Sequence, residues 1–218
     1  IGVSSTFIFL FILFGSFLEK TGIGKFFIDL ANAIAGKAVG GPAKVAVLSS
    51  ALTGTISGSS VANTVGTGSF TIPLMKSLGY KPEFAGAVEA AASTGGQIMP
   101  PIMGAAAFLM SEFIGIPYGT IAKAAIIPAL LYFTGIWIMV DLEARKTGMK
   151  GLEESKLPKL GKVLGERWYL FAPIFVIVYM LMSGTTPIKA ALYGIYSSIL
   201  VGMVKKETRM NLKMLLEA

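Results

Sequence analysis

The amino-acid sequence predicts an all-α integral membrane protein, and three observations carry this prediction. Of its 218 residues, 54% are hydrophobic and only 14% are charged, whereas a soluble domain usually carries about a quarter charged residues. The apolar residues form long charge-free stretches that are separated by short basic clusters. Most of the 26 glycines and 10 prolines lie inside those stretches, where membrane helices tolerate them because neighbouring helices satisfy the freed backbone groups.

Charge and residue usage exclude several classes of protein. The net charge of +7 does not indicate nucleic-acid binding, because the lysines and arginines lie beside apolar segments, where membrane proteins carry their orientation signals. Cysteine and histidine are both absent, which excludes a disulfide scaffold, a thiolate site and an imidazole site. No cofactor is expected other than a coupling ion. The chain starts in hydrophobic sequence at Ile1-Gly2-Val3, and we expect it to be a segment of a longer polypeptide.

Two helices are predicted at the start of the chain. Residues 3–18 are apolar and end at Glu19-Lys20, which is shorter than the ~20 residues of a full span. From Gly22 to Gly36 the apolar residues recur at spacings of three and four, the pattern of an amphipathic helix. We expect this second helix to lie in the membrane interface.

A re-entrant helical hairpin is predicted at about 43–76. Residues 45–75 contain no charged residue, and this length falls between the ~20 residues of one span and the ~40 plus a turn of two spans. The centre of the stretch, TGTISGSS at 53–60, is small and polar, which suits a turn at membrane depth between two half-length helices. Both ends carry lysine, which places them in the cytoplasm: Lys37, Lys44, Lys76 and Lys81.

A proline-broken helix is predicted next, at about 84–116. Residues 84–99 and 101–116 are interrupted at Pro100-Pro101, because proline lacks an amide hydrogen and collides with the preceding turn. The residues just before the break are again small and polar. We assign residues 1–140 to a transport-type half that contains the interfacial helix, the hairpin, the broken helix and an ordinary span at 120–140, with a kink at Pro128.

The remaining sequence predicts a scaffold. A basic cytoplasmic loop at 141–167 is followed by a helical hairpin at 168–204 that turns at 184–187, and 205–218 begins a further cytoplasmic segment. The excess of lysine and arginine in the loop and the tail places both in the cytoplasm, with two spans between them: Arg145, Lys146, Lys150, Lys156, Lys159, Lys162, Arg167, Lys205, Lys206, Arg209 and Lys213.

The hairpin tip is the first candidate site, and it comprises Ser57, Gly58, Ser59, Ser60, Asn63 and Thr64. Irregular polar backbone survives at membrane depth only where it is buried in protein or lines a cavity. Carbonyl and hydroxyl oxygens suit a hard cation such as sodium, and a helix that starts near Ser60 would aim its amides at an anion. Close helix packing through small residues explains the same pattern equally well, so both readings stay open here.

The second candidate site comprises Thr94, Gly95, Gln97, Pro100 and Pro101. A proline kink without any ligand would also explain it. Two interrupted elements near one another in sequence favour transport, however, because discontinuous helices mark the binding sites of transporters.

Glu89 is a candidate proton relay. It lies in the apolar stretch AGAVEAAA at 85–92, where a carboxylate is costly. The alternative, which the sequence favours slightly, is an interfacial glutamate that extends to the membrane surface or pairs with a lysine.

Two segments resemble the large membrane subunit of the tripartite ATP-independent periplasmic (TRAP) transporters. They are SGSSVANTVGTGSFTIPLMKSLGY at 57–80 and GGQIMPPIMGAAAFLM at 95–110, and the resemblance extends over roughly residues 1–145. The segments GIPY at 115–118 and PALLY at 128–132 resemble the TAXI branch, whose permeases are often long fused chains. Ile102 follows the double proline where the dicarboxylate branch usually has serine, which also fits the TAXI branch.

The resemblance implies half of an elevator-type inverted-repeat permease in the bacterial or archaeal inner membrane. Such a permease imports small organic anions, carboxylic acids among them, that a periplasmic binding protein delivers, with sodium or protons as the coupling ion. A second hairpin is expected in the remaining half. The residues that the resemblance places at the cation and substrate site are Ser57, Ser59, Ser60, Asn63, Gly95 and Pro100, and those assigned to sodium are Ser57, Ser59, Asn63 and Gly95.

Two other functions are compatible with the sequence. The chain could be a structural or assembly subunit whose polar centre only packs helices. It could also be an intramembrane serine hydrolase, but without histidine the base would have to be Lys44 or Lys76, ~15 residues or ~20 Å of helix from the hairpin tip.

Overall fold

The computed structural model describes residues 8–204, apart from the side chain of Lys156, and within this range the chain forms ten α-helices and no strand. The predicted segment at 205–218 and the first residues of the predicted 3–18 helix lie outside the described residues. The helices are α1 (Phe9–Lys20), α2 (Ile23–Ala35), α3 (Gly41–Ser57), α4 (Ser60–Ser77), α5 (Pro82–Gly95), α6 (Ala105–Ile114), α7 (Tyr118–Lys146), α8 (Leu160–Arg167), α9 (Ala172–Met182) and α10 (Pro187–Val204).

Helices α3 and α4 form an antiparallel helical hairpin. Its arms contain 17 and 18 residues, which corresponds to about 25 Å each at 1.5 Å per residue. The arms are therefore not the half-length helices that the charge-free run suggested. The first arm begins before Lys44 because this residue is buried (6% exposed) and its ammonium group contacts Asp141. The second arm continues through Lys76, which is exposed.

The interruption after α5 is wider than the two prolines. Helix α5 ends at Gly95, a short 3-10 helix covers Gly96–Ile98, and the next α-helix starts at Ala105. The prediction of helix at 101–104 was therefore wrong. Gly95 and Gly96 keep helical backbone angles where the α-helix gives way to the 3-10 helix; Gly95 lies against the ring of Phe133 and Gly96 against the backbone of Gly54.

Two apolar clusters hold the helices together. One joins the hairpin and α5 to the middle of α7, through residues such as Val47, Met75, Val88 and Phe133. The other joins α1, α2, α6, α9 and α10, and phenylalanine dominates it. Four of the six buried residues of α2 belong to the second cluster, and the other two, Ala31 and Ala35, pack with Val45 of α3, so this helix buries its apolar face against protein.

Three segments are long and apolar enough to cross a membrane: Tyr118–Lys146, Leu160–Met182 and Pro187–Val204. Their outer faces carry exposed apolar side chains, such as Ile127 and Leu131 on α7, as lipid contact requires. The predicted 141–167 loop is partly helical, because α7 continues to Lys146 and α8 occupies its last eight residues. The all-helical membrane class predicted from the sequence agrees with this architecture.

Candidate functional site

The turn of the hairpin lies directly against the interruption after α5. Gly58 joins the two arms in the left-handed region (φ +58°), and a Cβ atom there would overlap the carbonyl oxygen of Met103. Met103 also has a positive φ, of 58°, which is costly for a residue with a side chain. The left-handed turn at Gly58 thus meets a strained backbone at Met103, and the two candidate segments found in the sequence form one structural unit.

A side-chain hydrogen bond joins the same two segments. The amide of Gln97, in the 3-10 helix, donates to the hydroxyl of Ser60 at 2.8 Å. Ser60 is the first residue of α4, and Ser59 caps that helix by accepting from the amide of Ala62 at 3.3 Å. The N-terminus of the second arm is therefore positioned both by its own cap and by the interruption.

A cavity of about 500 Å³ lies between the hairpin, α1 and α2. Ser57 and Ser59 of the tip line it, together with Thr53 one turn earlier on α3. The hydroxyl oxygens of Thr53 and Ser57 are buried and have no hydrogen-bond partner among the described residues. Buried hydroxyls are normally satisfied, so these two oxygens have unused hydrogen-bonding capacity beside the cavity.

A second cavity, of about 360 Å³, lies on the other side of the tip. Ser57, Gly58, Ser59 and Ser60 line it, with Gln97 from the interruption opposite them. The tip therefore separates two cavities, and Ser57 and Ser59 border both.

Asn63 and Thr64 do not face either cavity with a free polar group. Asn63 is fully buried, and its amide donates to the backbone carbonyl of Ser50 on the opposite arm at 2.9 Å. The hydroxyl of Thr64 donates to the carbonyl of Ser60 one turn earlier, at 2.8 Å. In this conformation Asn63 fastens the two arms together, and its position differs from that expected of a sodium ligand beside Ser57.

The other residues of the second candidate site point elsewhere. The Thr94 hydroxyl is exposed and donates to the carbonyl of Ala90 on its own helix. Gly95 packs against Tyr132 and Phe133 of α7, away from the hairpin tip. Pro100 and Pro101, which are joined by a cis peptide bond, line an apolar groove of about 380 Å³ between α7 and α9. Of this set, only Gln97 reaches the hairpin.

Glu89 is fully buried at the centre of the hairpin and α5. Its carboxyl group contacts the hydroxyls of Ser50 on α3, Thr67 and Thr71 on α4, and Ser93 on its own helix. No ion pair within residues 8–204 involves it, so the expectation of an interfacial glutamate that pairs with lysine was wrong. The physical reason is that four hydroxyl groups solvate the carboxyl inside the protein.

Three polar residues of this region were not predicted from the sequence, namely Ser50, Thr67 and Thr71, whereas Thr53 and Ser93 were noted only as parts of small polar segments. One signal was present. Asn63, Thr67 and Thr71 are spaced four residues apart, which places three polar side chains on one face of a helix. Such a polar stripe in an apolar helix indicates a buried partner, and here the partner is Glu89.

The hairpin tip offers neutral oxygen ligands, and the charged residues that line the 500 Å³ cavity are Glu19 and Lys25. Within residues 8–204, no group of three or more Asp and Glu side chains could hold a metal ion. Hydroxyl and carbonyl oxygens still suit a hard monovalent cation. Of the two lysines that the hydrolase alternative could use, Lys76 is exposed, and the ammonium group of Lys44 pairs with Asp141 at 2.5 Å and lies 5.4 Å from the centre of the Trp137 ring.

Comparison with known proteins gives a family. The family model for the "Tripartite ATP-independent periplasmic transporter, DctM component" matches residues 2–218. The C4-dicarboxylate TRAP transporter large permease protein of Pseudomonas aeruginosa is 27% identical over 203 residues, covering 92% of this chain and 47% of that protein. The sialic acid TRAP transporter large permease protein of Vibrio cholerae is 26% identical over 199 residues, covering 91% and 46%.

A further relative, the isethionate TRAP transporter permease protein of Oleidesulfovibrio alaskensis, is 29% identical over 196 residues, covering 88% of this chain and 30% of that protein. The chain thus spans about half the length, or less, of these curated relatives. All three are permease components of transporters and not enzymes. Because the family model matches nearly the whole chain, the chain belongs to the DctM component family of the tripartite ATP-independent periplasmic transporters.

Proposed function

We propose that the chain forms one half of a TRAP-type permease that imports small organic anions in a cation-coupled manner. The remaining half would supply a second hairpin. The supporting observation is the pair of buried, unpartnered hydroxyl oxygens of Thr53 and Ser57, which border the cavity beside the hairpin tip. In this proposal they bind the coupling cation, with sodium as the first candidate, together with the oxygens of Ser59.

The wider role follows from the family. The relatives carry the names of C4-dicarboxylate, sialic acid and isethionate transporters, all for small anions, and we propose the same class of substrate here, with carboxylic acids first. A periplasmic binding protein would deliver it to a multi-pass inner-membrane permease whose C-terminal side faces the cytoplasm. We also propose the TAXI branch, on the basis of the segments GIPY at 115–118 and PALLY at 128–132 and of Ile102 after the double proline.

Thermal stability of the complete permease against sodium, with potassium as the ionic-strength control, tests the cation site. A ligand that binds only the folded protein raises its melting temperature as its concentration passes the dissociation constant. We expect a sodium-specific rise that Thr53→Val and Ser57→Ala both abolish. Neither substitution removes a hydrogen bond that the structure shows, so both variants should fold normally.

Ser69→Ala is the matched control, because Ser69 lies on the same hairpin but is exposed and donates to the carbonyl of Gly66 on its own helix. It should retain the full sodium response. An unchanged sodium response in both Thr53→Val and Ser57→Ala would contradict the assignment, and the absence of any sodium response in the unmodified protein would favour a structural role.

A further inference from the structure

Glu89 and the four hydroxyl groups around it form a closed polar cluster at the junction of α3, α4 and α5. The hydroxyls of Ser50 and Ser93 lie 2.9 and 3.1 Å from one carboxyl oxygen, Oε1, which Thr67 also contacts. The other oxygen, Oε2, contacts Thr71. Glu89, Thr71 and Ser93 are fully buried, and Thr67 is nearly so.

A metal ion does not fit inside this cluster. A bound cation keeps its oxygen ligands about 2.0 to 2.6 Å from itself and separates them from one another. Here the oxygens touch one another directly through hydrogen bonds: Ser50 contacts Thr67 at 3.1 Å, and both contact Oε1 of Glu89. The ligand that this geometry can take without separating the oxygens is a proton.

The hydrogen bonds can be completed in both charge states of the carboxyl. Each threonine hydroxyl has two acceptors within reach: Thr71 contacts the carboxyl and the carbonyl of Thr67 at 3.0 Å, and Thr67 contacts the carboxyl and the carbonyl of Asn63 at 2.8 Å. In the ionised state both threonines donate to the carboxylate. In the protonated state Oε2 donates its hydrogen to Thr71, which turns its own hydrogen to the carbonyl.

Only hydroxyl hydrogens rotate between these two states, and no heavy atom has to move. A buried carboxyl usually has to lose hydrogen bonds when its charge changes, which is costly in an apolar interior. This cluster avoids that cost, so it is built to accept and release a proton in place.

The cluster also has a route to the outside. Thr67 lines the 500 Å³ cavity beside the hairpin tip and contacts Glu89 on its other side. A proton can therefore pass from the cavity to the carboxyl through one hydroxyl group. The same cavity contains the unpartnered hydroxyls of Thr53 and Ser57.

Within residues 8–204 the hydrogen-bond partners of Glu89 are hydroxyl groups, and no ion pair joins it to a charged group of the surrounding helices. Lys44 on α3 pairs with Asp141 on α7, and Asp29 on α2 pairs with Arg167. Tyr132 of α7 donates to the carbonyl of Ala91. Lys25, Lys76 and Glu83 are exposed, and Glu143, near the end of α7, is partly exposed.

We propose that Glu89 is a proton-binding site of the hairpin, loaded from the cavity through Thr67, with Thr71 as the hydroxyl that reverses its hydrogen bond when the proton binds. One consequence rests on the proposed transport function, namely that proton binding at Glu89 contributes to coupling. The site itself is a property of the three helices.

Infrared difference spectroscopy of the complete permease, recorded as pH is varied, tests the site without transport. We expect a protonated-carboxyl band that titrates, disappears in Glu89→Gln and persists in Glu83→Gln, an exposed glutamate on the same helix. Thr71→Val should shift the titration and Thr71→Ser should restore it. Glutamine mimics the protonated acid, so Glu89→Gln should fold. If it does not, the comparison of Thr71→Val with Thr71→Ser tests the site.

Transport in proteoliposomes tests the consequence. Uptake driven by an imposed pH gradient should lose its dependence on the gradient in Glu89→Gln, while substrate exchange without a gradient persists. The proposal is overturned if no carboxyl band depends on Glu89 or if the Thr71 variants leave the titration unchanged. A titrating Glu89 band in a protein that transports nothing would instead reject the proposed function and leave the proton site intact.

Discussion

Gly54 of the first hairpin arm lies directly against Gly96, in the 3-10 helix after α5. A Cβ atom on Gly54 would be 2.5 Å from the Cα atom of Gly96, closer than any real side chain comes to a backbone atom. The close approach of these two glycines brings the interruption to the hairpin, in the way that small residues let membrane helices approach one another.

Gly54→Ala should therefore destabilise the protein by about 1–3 kcal/mol, the usual range for overpacking against backbone that cannot move aside. Gly86→Ala is the control, because nothing lies within 4 Å of a Cβ atom there and alanine favours helix over glycine by up to about 1 kcal/mol. Thermal unfolding in detergent measures both variants. Equal melting temperatures would show that the Gly54 contact is not tight.

The turn at Gly58 should be even less tolerant of a side chain. Gly58→Ala adds the strain of a positive φ, roughly 1–2 kcal/mol, to an overlap with the carbonyl of Met103. Gly184→Ala has the same kind of strain, at φ +75°, with nothing within 4 Å. The difference between the two melting temperatures isolates the contact at the tip, and we expect Gly58→Ala to be clearly the less stable variant.

The hydrogen bond from Gln97 to Ser60 should tune ligand binding at the tip. Its loss in Gln97→Ala removes about 0.5–1.5 kcal/mol, which corresponds to a rise of roughly two- to tenfold in the sodium concentration that half-stabilises the protein. Ser60→Ala should have the same effect, and the double variant should add little to either single change.

Thr94→Ala is the control for this measurement, since the Thr94 hydroxyl is exposed and bonds only to its own helix. It should leave the sodium midpoint where it is. A Thr94 variant that moves the midpoint as far as Gln97→Ala would show that the hydrogen bond to the tip is not the cause.

The ion pair between Lys44 and Asp141 should hold the N-terminal end of α3 against α7. Lys44→Met leaves the Asp141 carboxylate with only its exposed partner Arg145, and breaking one side of a partly buried pair is destabilising. Lys37→Met breaks a pair with Glu154 in which both side chains are exposed, and such pairs contribute little. Melting temperatures should therefore fall much further for Lys44→Met, and Asp141→Asn in the Lys44→Met background should restore part of the loss.

The sequence was sufficient to predict the hairpin and the interruption, because both follow from local features: a charge-free run with a polar centre, and two adjacent prolines. The extent of each element was less accessible. The charge at Lys44 suggested that the helix starts after it, whereas a partner 97 residues away, Asp141, lets the helix include it.

The site was harder to predict than the fold, because its residues come from different helices. Asn63 has the oxygen that a cation ligand needs, but the register of the two arms places its amide on the carbonyl of Ser50. Glu89 could be recognised as costly, yet its hydroxyl partners come from three helices whose relative rotation no local pattern determines. Thr53 was noted as part of the polar centre but not as a site residue, because its significance is a buried hydroxyl without a hydrogen-bond partner among the described residues.

The bonds between α3, α4 and α5 also limit how this part of the molecule can move. Separating α3 from α4 would break the hydrogen bond from Asn63 to Ser50 and the hydroxyl contacts with Glu89. We therefore expect the three helices to move as one rigid unit, which the ion pair between Lys44 and Asp141 attaches to α7. Because each arm is about 25 Å long, a tilt of roughly ten degrees about that ion pair would move the hairpin tip by about 4 Å, which is more than the diameter of a small ion.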